Sequence, residues 1–234
     1  MKPVNARLWA GLLFLIGIVL PGLVLAHNIS ESNAQFVEGV QGAAIVPFLY
    51  LGAKHMVTGY DHLLFLVGVI FFLYHVRDVV LYVSLFTLGH SITLLGGVLG
   101  NIQVNAYLID AIIGFSIVYK AFENMGGFGQ VLPFQPNTKI AVLVFGLFHG
   151  LGLATKLQEF SIAKEGLITN IISFNIGVEI GQMLSLSAIL LLLIRWRQHG
   201  NFIHHSFLAN TSLMIGGFLL TGYQLTGYFV NHAN

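Results

Sequence analysis

Long apolar runs recur along almost the whole chain, and they constrain its fold more than any other feature. Runs long enough to span a membrane cover about 44–74, 79–99, 105–122, 138–155, 167–194 and 202–229. A helix of about 20 residues crosses the hydrocarbon core of a bilayer, and lipid requires each backbone polar group to be paired internally. The sequence therefore predicts an all-α fold, a polytopic transmembrane helix bundle with six spans and an N-terminal signal helix. The first run is too long for one straight span, so Gly59 is a candidate break.

The composition excludes several classes of protein. Only 8% of the 234 residues are charged and 56% are hydrophobic, whereas soluble domains carry about 25% charged residues. A formal net charge of +1 leaves too few cations for a phosphate-binding patch, which argues against nucleic acid as a partner. No cysteine is present, so disulfides, thiolate nucleophiles and Cys-ligated metals are excluded. The predicted partners include the lipid bilayer and no nucleotide, and the oligomeric state stays open.

Residues 1–26 have the pattern of a signal peptide. Lys2 and Arg7 precede an apolar stretch, Pro21 ends it, and a plausible cleavage site follows at Ala26. An uncleaved first transmembrane helix is the alternative, because the stretch is nearly long enough to span. Residues 27–43 are then a short extracytoplasmic segment, and 44–234 form the transmembrane helical domain.

The distribution of cations predicts an orientation. With the N-terminus inside and alternating spans, seven cations fall on the cytoplasmic side: Lys2, Arg7, Arg77, Lys120, Lys139, Arg195 and Arg197. Three fall outside or in the outer leaflet: Lys54, Lys156 and Lys164. This bias agrees with the positive-inside rule. We therefore expect a multi-pass protein of the bacterial inner membrane, with the mature N-terminus and the C-terminus both extracytoplasmic.

Ionisable side chains lie inside these apolar runs. They are His55, Asp61, His62, His90, Asp110, His149 and Glu179. Three ionised acids left alone there would cost about 8–10 kcal/mol. No intramembrane Lys or Arg is expected to answer them, and Lys54, near the outer end, is the only candidate, as a partner of Asp110. Protonation, imidazolium partners or a bound cation would then have to compensate the acids.

The spacing of these residues favours a shared site. His55 and His62 are seven residues apart and share a face if the helix is continuous. We predict six metal ligands, His55, Asp61, His62, His90, His149 and Glu179. Supporting residues are Thr87, Ser91, Asp110, Asn175 and Gln182, although singly they also suit interhelical hydrogen bonds. Imidazole with carboxylate favours divalent Ni, Co or Zn.

Four segments resemble the HupE/UreJ family of membrane proteins. The segment 55–62 has the H-x5-D-H pattern, and 86–93 has the F-T-x-x-H-S-x-T pattern of the family's second branch. Phe-His-Gly at 148–150 and Phe-Asn-Ile-Gly-Val-Glu at 174–179 complete the likeness. The family is associated with nickel or cobalt uptake for hydrogenase and urease, so the resemblance implies a metal permease. Where the founding branch continues its fourth-span motif with His and Glu, this chain has Ala154 and Leu157, so nickel is not assumed.

Three hypotheses follow from these residues. The first is a membrane permease for a divalent transition metal that is ligated by His and carboxylate and released when the ligands protonate or rearrange. The second is an intramembrane zinc-dependent hydrolase, in which the same cluster activates water and Ser91 orients the substrate. The third is a proton-coupled or scaffolding membrane protein whose acids are protonated. Convergence of the imidazoles and a carboxylate on one point would favour the first two.

Overall fold

A computed structural model describes residues 42–158, 165–198 and 200–232, and within these ranges the regular elements are all helical. The eight helices are α1 Ile45–Thr58, α2 Tyr60–Ile70, α3 Val76–Leu99, α4 Ala106–Asn124, α5 Phe128–Val131, α6 Thr138–Gln158, α7 Leu167–Arg197 and α8 Phe202–His232. The predicted signal segment 1–26 and nearly all of 27–43 lie outside the described residues.

Four of these helices are long and apolar enough to cross a membrane, as in a multi-pass membrane protein. They are α3, α6, α7 and α8. The other two predicted spans also form helices, but neither is a single helix of the same length and apolar character. The first is divided into α1 and α2, which are 14 and 11 residues long. The helix α4 has only 19 residues, among them Asp110, Lys120 and Glu123.

The break at Gly59 lies where the sequence predicts it. The Gly59 N–H donates to the carbonyl of His55 at 2.8 Å and closes α1, while the Gly59 carbonyl accepts from Leu63 N at 3.1 Å and opens α2. A methyl group on Gly59 would lie 2.9 Å from the His55 oxygen and 3.2 Å from His62 Nδ1. Glycine therefore lets the backbone turn while both histidines stay beside it.

Glycines bring helices together in three closely packed pairs: α1 with α7, α3 with α6, and α4 with α8. A methyl on Gly177 would overlap the carbonyl of Leu49 in α1, and one on Gly146 would overlap the carbonyl of Phe86 in α3. A methyl on Gly217 would lie 2.9 Å from the carbonyl oxygen of Gly114 in α4. Small residues allow such backbone approach in membrane helices.

The short helix α2 contacts at least one helix from each of the three pairs. Its side chains Phe65, Leu66 and Ile70, together with Phe71 directly after the helix, are at most 1% exposed and belong to the main apolar core. At its C-terminal end the guanidinium of Arg197 donates to the carbonyls of residues 70, 71 and 73 at 2.6–2.8 Å. The C-terminal end of α2 is therefore anchored to the bundle, and Asp61 and His62 in its first turn are buried as well.

Candidate metal centre

His62, in the first turn of α2, lies among three other histidine rings. Its ring centroid is 4.7 Å from that of His149 on α6, 5.2 Å from that of His55 on α1 and 5.9 Å from that of His90 on α3. The break at Gly59 does not separate His55 from His62, because their rings remain in contact across it. Four helices thus bring imidazoles to one place.

Three of the predicted ligands meet the distance requirement for a shared ion. Asp61, His62 and His149 each offer one ligand atom, and these atoms all lie within 4.8 Å of one another. The three residues are 2%, 1% and 0% exposed. Two imidazoles and a carboxylate form a donor set that suits borderline divalent metals. His55 and His90 border this group of three through their contacts with the His62 ring.

Hydrogen bonds orient both imidazoles of this group. His149 Nδ1 lies 2.8 Å from the carbonyl of Phe145, and a carbonyl only accepts, so Nδ1 carries the proton and Nε2 keeps a lone pair. His62 Nδ1 lies 3.1 Å from Asp61 Oδ1, and an ionised carboxylate fixes the same tautomer. Metal-binding histidines commonly donate their second ring N–H to a carbonyl or carboxylate in this way.

Aromatic side chains form an apolar wall around the centre, which the sequence analysis missed. The rings of Phe65 and Phe86 lie 5.5 Å and 5.0 Å from the His149 ring, measured between centroids. Helical spacing contained the signal, because Phe65 follows His62 by three residues and Phe86 precedes His90 by four. Such a wall keeps water away and strengthens the interaction of a cation with its ligands.

Glu179, the sixth predicted ligand, lies outside this buried group and is exposed on the surface of the bundle. Each helical residue advances by about 100°. Glu179 is therefore rotated by about 40° from Asn175 to one side, whereas Gln182 is rotated by about 20° to the other side. The buried face of α7 includes Gln182, Val178 and Phe174, so the carboxylate of Glu179 points beyond its edge.

The expectation that no intramembrane cation answers the acids is wrong for Asp110. Lys156 Nζ lies 2.8 Å from Asp110 Oδ2, and Gln224 Nε2 donates to the same oxygen at 3.4 Å. Lys156 is 8% exposed and Asp110 is 7% exposed. The apolar run that predicted this span ends at residue 155, whereas α6 continues to Gln158. The ammonium therefore remains inside the bundle and, in place of the predicted Lys54, compensates Asp110.

The other supporting residues join α3 to α7. Thr87 Oγ1 donates to Gln182 Oε1 at 2.9 Å, and Asn175 Nδ2 donates to Ser91 Oγ at 2.8 Å. Both bonds fit the alternative that the sequence left open, in which these residues link helices. They also hold α3 in register with α7 beside His90.

A comparison with protein families gives one match that covers most of the chain. The family model described as HupE / UreJ protein matches residues 31–232. The chain belongs to the HupE/UreJ family. The matched range contains all of the predicted ligands, from His55 to Glu179, together with every described helix.

Members of the HupE/UreJ family are associated with nickel and cobalt transport. No curated protein and no solved structure shows significant similarity to this chain.

Proposed function

We propose that this HupE/UreJ protein is a membrane permease for a divalent transition metal, with Asp61, His62 and His149 as the central ligands. One observation carries the proposal: three buried ligand atoms from two helices lie within 4.8 Å of one another. His55 and His90 complete the lining of the path on either side of His62. Nickel and cobalt are the favoured substrates, given the family, and zinc suits the same donors.

The charge of the centre supports a cation as its occupant. An ionised Asp61 beside two neutral imidazoles gives the group one negative charge, and a divalent ion would convert this to one positive charge. An ionised carboxylate costs free energy to bury. Its attraction to a divalent ion, in surroundings lined by Phe65 and Phe86, offsets part of the cost of removing water from that ion.

The division of one apolar segment into α1 and α2 supports transport. Transporters commonly place their ion sites at interrupted helices, because the ends of the two half-helices present backbone groups to the substrate. Here the interruption at Gly59 lies directly beside His62. A rearrangement of α2 relative to α1 would move Asp61 and His62 together while His149 stays on α6.

Burial of the centre argues against the alternative of an intramembrane zinc hydrolase. A catalytic zinc keeps an open position for water and substrate. His62, His90 and His149 are all at most 1% exposed, which admits a bare ion more readily than a lipid or an amide.

We also propose that the permease has six spans, with α1 and α2 together as the first, and that it lies in an inner membrane with the C-terminus outside.

Metal flux in proteoliposomes tests the proposal. Purified protein is reconstituted with a fluorescent metal indicator inside the vesicles, and Ni²⁺, Co²⁺ or Zn²⁺ is added outside. Wild-type protein is expected to carry at least one of these ions above the rate of empty vesicles, and His62→Ala is expected to abolish this flux. His204→Ala, at an exposed position on α8, is the matched control and should behave as wild type. Equal flux for wild type and His62→Ala would refute the proposal.

A further inference from the structure

A row of polar side chains follows the line where α3 meets α7. We define the polar seam as Thr87 and Ser91 of α3 together with Asn175, Glu179 and Gln182 of α7. Its two interhelical hydrogen bonds are Thr87–Gln182 at 2.9 Å and Ser91–Asn175 at 2.8 Å. Both helices are long and apolar, yet four polar side chains meet at their contact line and Glu179 lies beside them at the surface.

The polar seam differs from the three closely packed helix pairs. Within those pairs glycines bring backbone against backbone, as Gly150 does with the carbonyl of His90. The helices α3 and α7 belong to different pairs, and their contact is far less extensive. The hydrogen bonds across the polar seam run between side chains. Side-chain rotation could therefore open the polar seam while the glycine contacts within the pairs stay intact.

The polar seam carries a carboxylate on its exposed side. Glu179 is exposed, and along α7 it lies between the two residues that bond to α3, Asn175 and Gln182. An ionisable side chain at such depth in a membrane helix faces a water-filled cavity or a partner far more often than lipid. Glu179 is thus placed to attract a cation at the mouth of the polar seam.

The buried side of the polar seam has polar atoms that lack hydrogen-bond partners among the described residues. Within the part of the chain that the structure describes, neither ring nitrogen of His90 has a hydrogen-bond partner, and neither does Gln182 Nε2. Both residues are 1% exposed. Buried polar atoms without partners are uncommon and point to a missing ligand or water. His90 directly precedes Ser91 of the polar seam, and its ring lies 5.9 Å from the His62 ring.

We propose that the polar seam is the route by which a hydrated divalent transition-metal cation reaches the metal centre. Glu179 binds the ion first, the oxygens of Asn175, Ser91 and Thr87 replace part of its water, and His90 passes it to His62. Carboxylate and amide oxygens suit a hydrated ion, and imidazole suits a dehydrated one. The inference rests on the proposed function and assigns Glu179 to entry instead of central ligation.

Thiol labelling tests whether the polar seam contains water. The chain has no cysteine, so single variants report one position each. Glu179→Cys is compared with Leu184→Cys, which is 64% exposed but lies on another side of α7. A membrane-impermeant methanethiosulfonate reagent reacts with thiolate, which forms in water and not in lipid. We expect Glu179→Cys to be labelled in proteoliposomes and Leu184→Cys to stay unlabelled. Protection of both positions, or equal labelling of both, would overturn the proposal.

Loading kinetics test the role of the carboxylate. We expect Glu179→Gln to slow the binding of Co²⁺ to purified protein by about tenfold, the lower limit for loss of electrostatic steering. The number of ions bound at saturation should stay unchanged. Glu179→Asp should restore most of the rate. Ser187→Ala, an exposed position on the same helix, is the control and should load as wild type.

The two measurements separate this inference from the function on which it rests. If wild-type protein binds no metal, the proposed function and the entry route both fail. If wild-type protein binds metal and Glu179→Gln loads at the same rate, only the entry route fails. A loss of saturation binding in Glu179→Gln would also overturn the inference, since it would make Glu179 a central ligand.

Discussion

Lys156 and Asp110 form an ion pair inside the bundle, with Lys156 Nζ 2.8 Å from Asp110 Oδ2. Lys156 follows His149 by seven residues on α6, so the two side chains lie on nearly the same face, about 10 Å apart along the axis. Gly152 lies between His149 and Lys156 in the sequence, and a methyl group on it would lie 3.7 Å from Asp110 Oδ1. One face of α6 therefore carries both an imidazole of the metal centre and the ammonium that compensates Asp110 of α4.

Removal of one member of this pair is expected to cost more than removal of both. Lys156→Met leaves a buried carboxylate without its cation, which costs about 3–5 kcal/mol. Asp110→Asn together with Lys156→Met removes both charges and should recover most of the lost stability. Thermal unfolding in detergent measures this, with Lys139→Met at an exposed position as the control. If the double variant is as unstable as Lys156→Met, the pair does not act as a unit.

Glycine substitution should separate α3 from α6. A methyl on Gly150 would overlap the carbonyl of His90 and the hydroxyl of Thr93, and such overpacking typically costs about 1–3 kcal/mol. Because His149 adjoins Gly150, the variant Gly150→Ala should weaken metal binding as well. Gly96→Ala is the matched control on α3, since a methyl there has no neighbour within 4 Å among the described residues. Its stability should equal or exceed that of wild type.

Loss of the Asp61 charge should weaken metal binding without unfolding the protein. The carboxylate lies 3.1 Å from His62 Nδ1, so Asp61→Asn removes both a negative charge and the group that fixes the imidazole tautomer. Loss of an outer-shell group that orients a ligand reduces metal affinity by about 10–100-fold, and loss of Asp61, which is also a proposed ligand, should cost at least as much. Competition with a chelator of known affinity measures the change. Asp78→Asn, in the first turn of α3, should leave the affinity unaltered; equal losses in both variants would show a general charge effect.

Helices and their approximate limits could be predicted from the sequence because lipid leaves the backbone few choices. The same patterns located the glycine break between His55 and His62. The number of independent spans could not be read in this way. Periodicity does not show whether two short helices such as α1 and α2 act as one span, or how α4 accommodates its charges.

The candidate site could be predicted in part for similar reasons. Residue type and position within apolar runs pointed to His62, His90 and His149, because ionisable groups that lipid would penalise are expected to face the protein interior. The pairing of Asp110 with Lys156 depends on α6 continuing to Gln158, and the outward position of Glu179 depends on the rotation of α7 about its axis. Packing between helices sets that rotation, and spacing along one chain does not encode it.

Metal binding to purified protein tests the central claim most directly. Wild-type protein and His62→Ala are freed of metal, titrated with Co²⁺ or Zn²⁺, and the bound ion is examined by X-ray absorption. We predict one ion per chain in wild type, with imidazole nitrogens in its coordination shell, and loss of that ion in His62→Ala. Absence of a bound ion in wild type, or an unchanged spectrum and affinity without His62, would contradict the account.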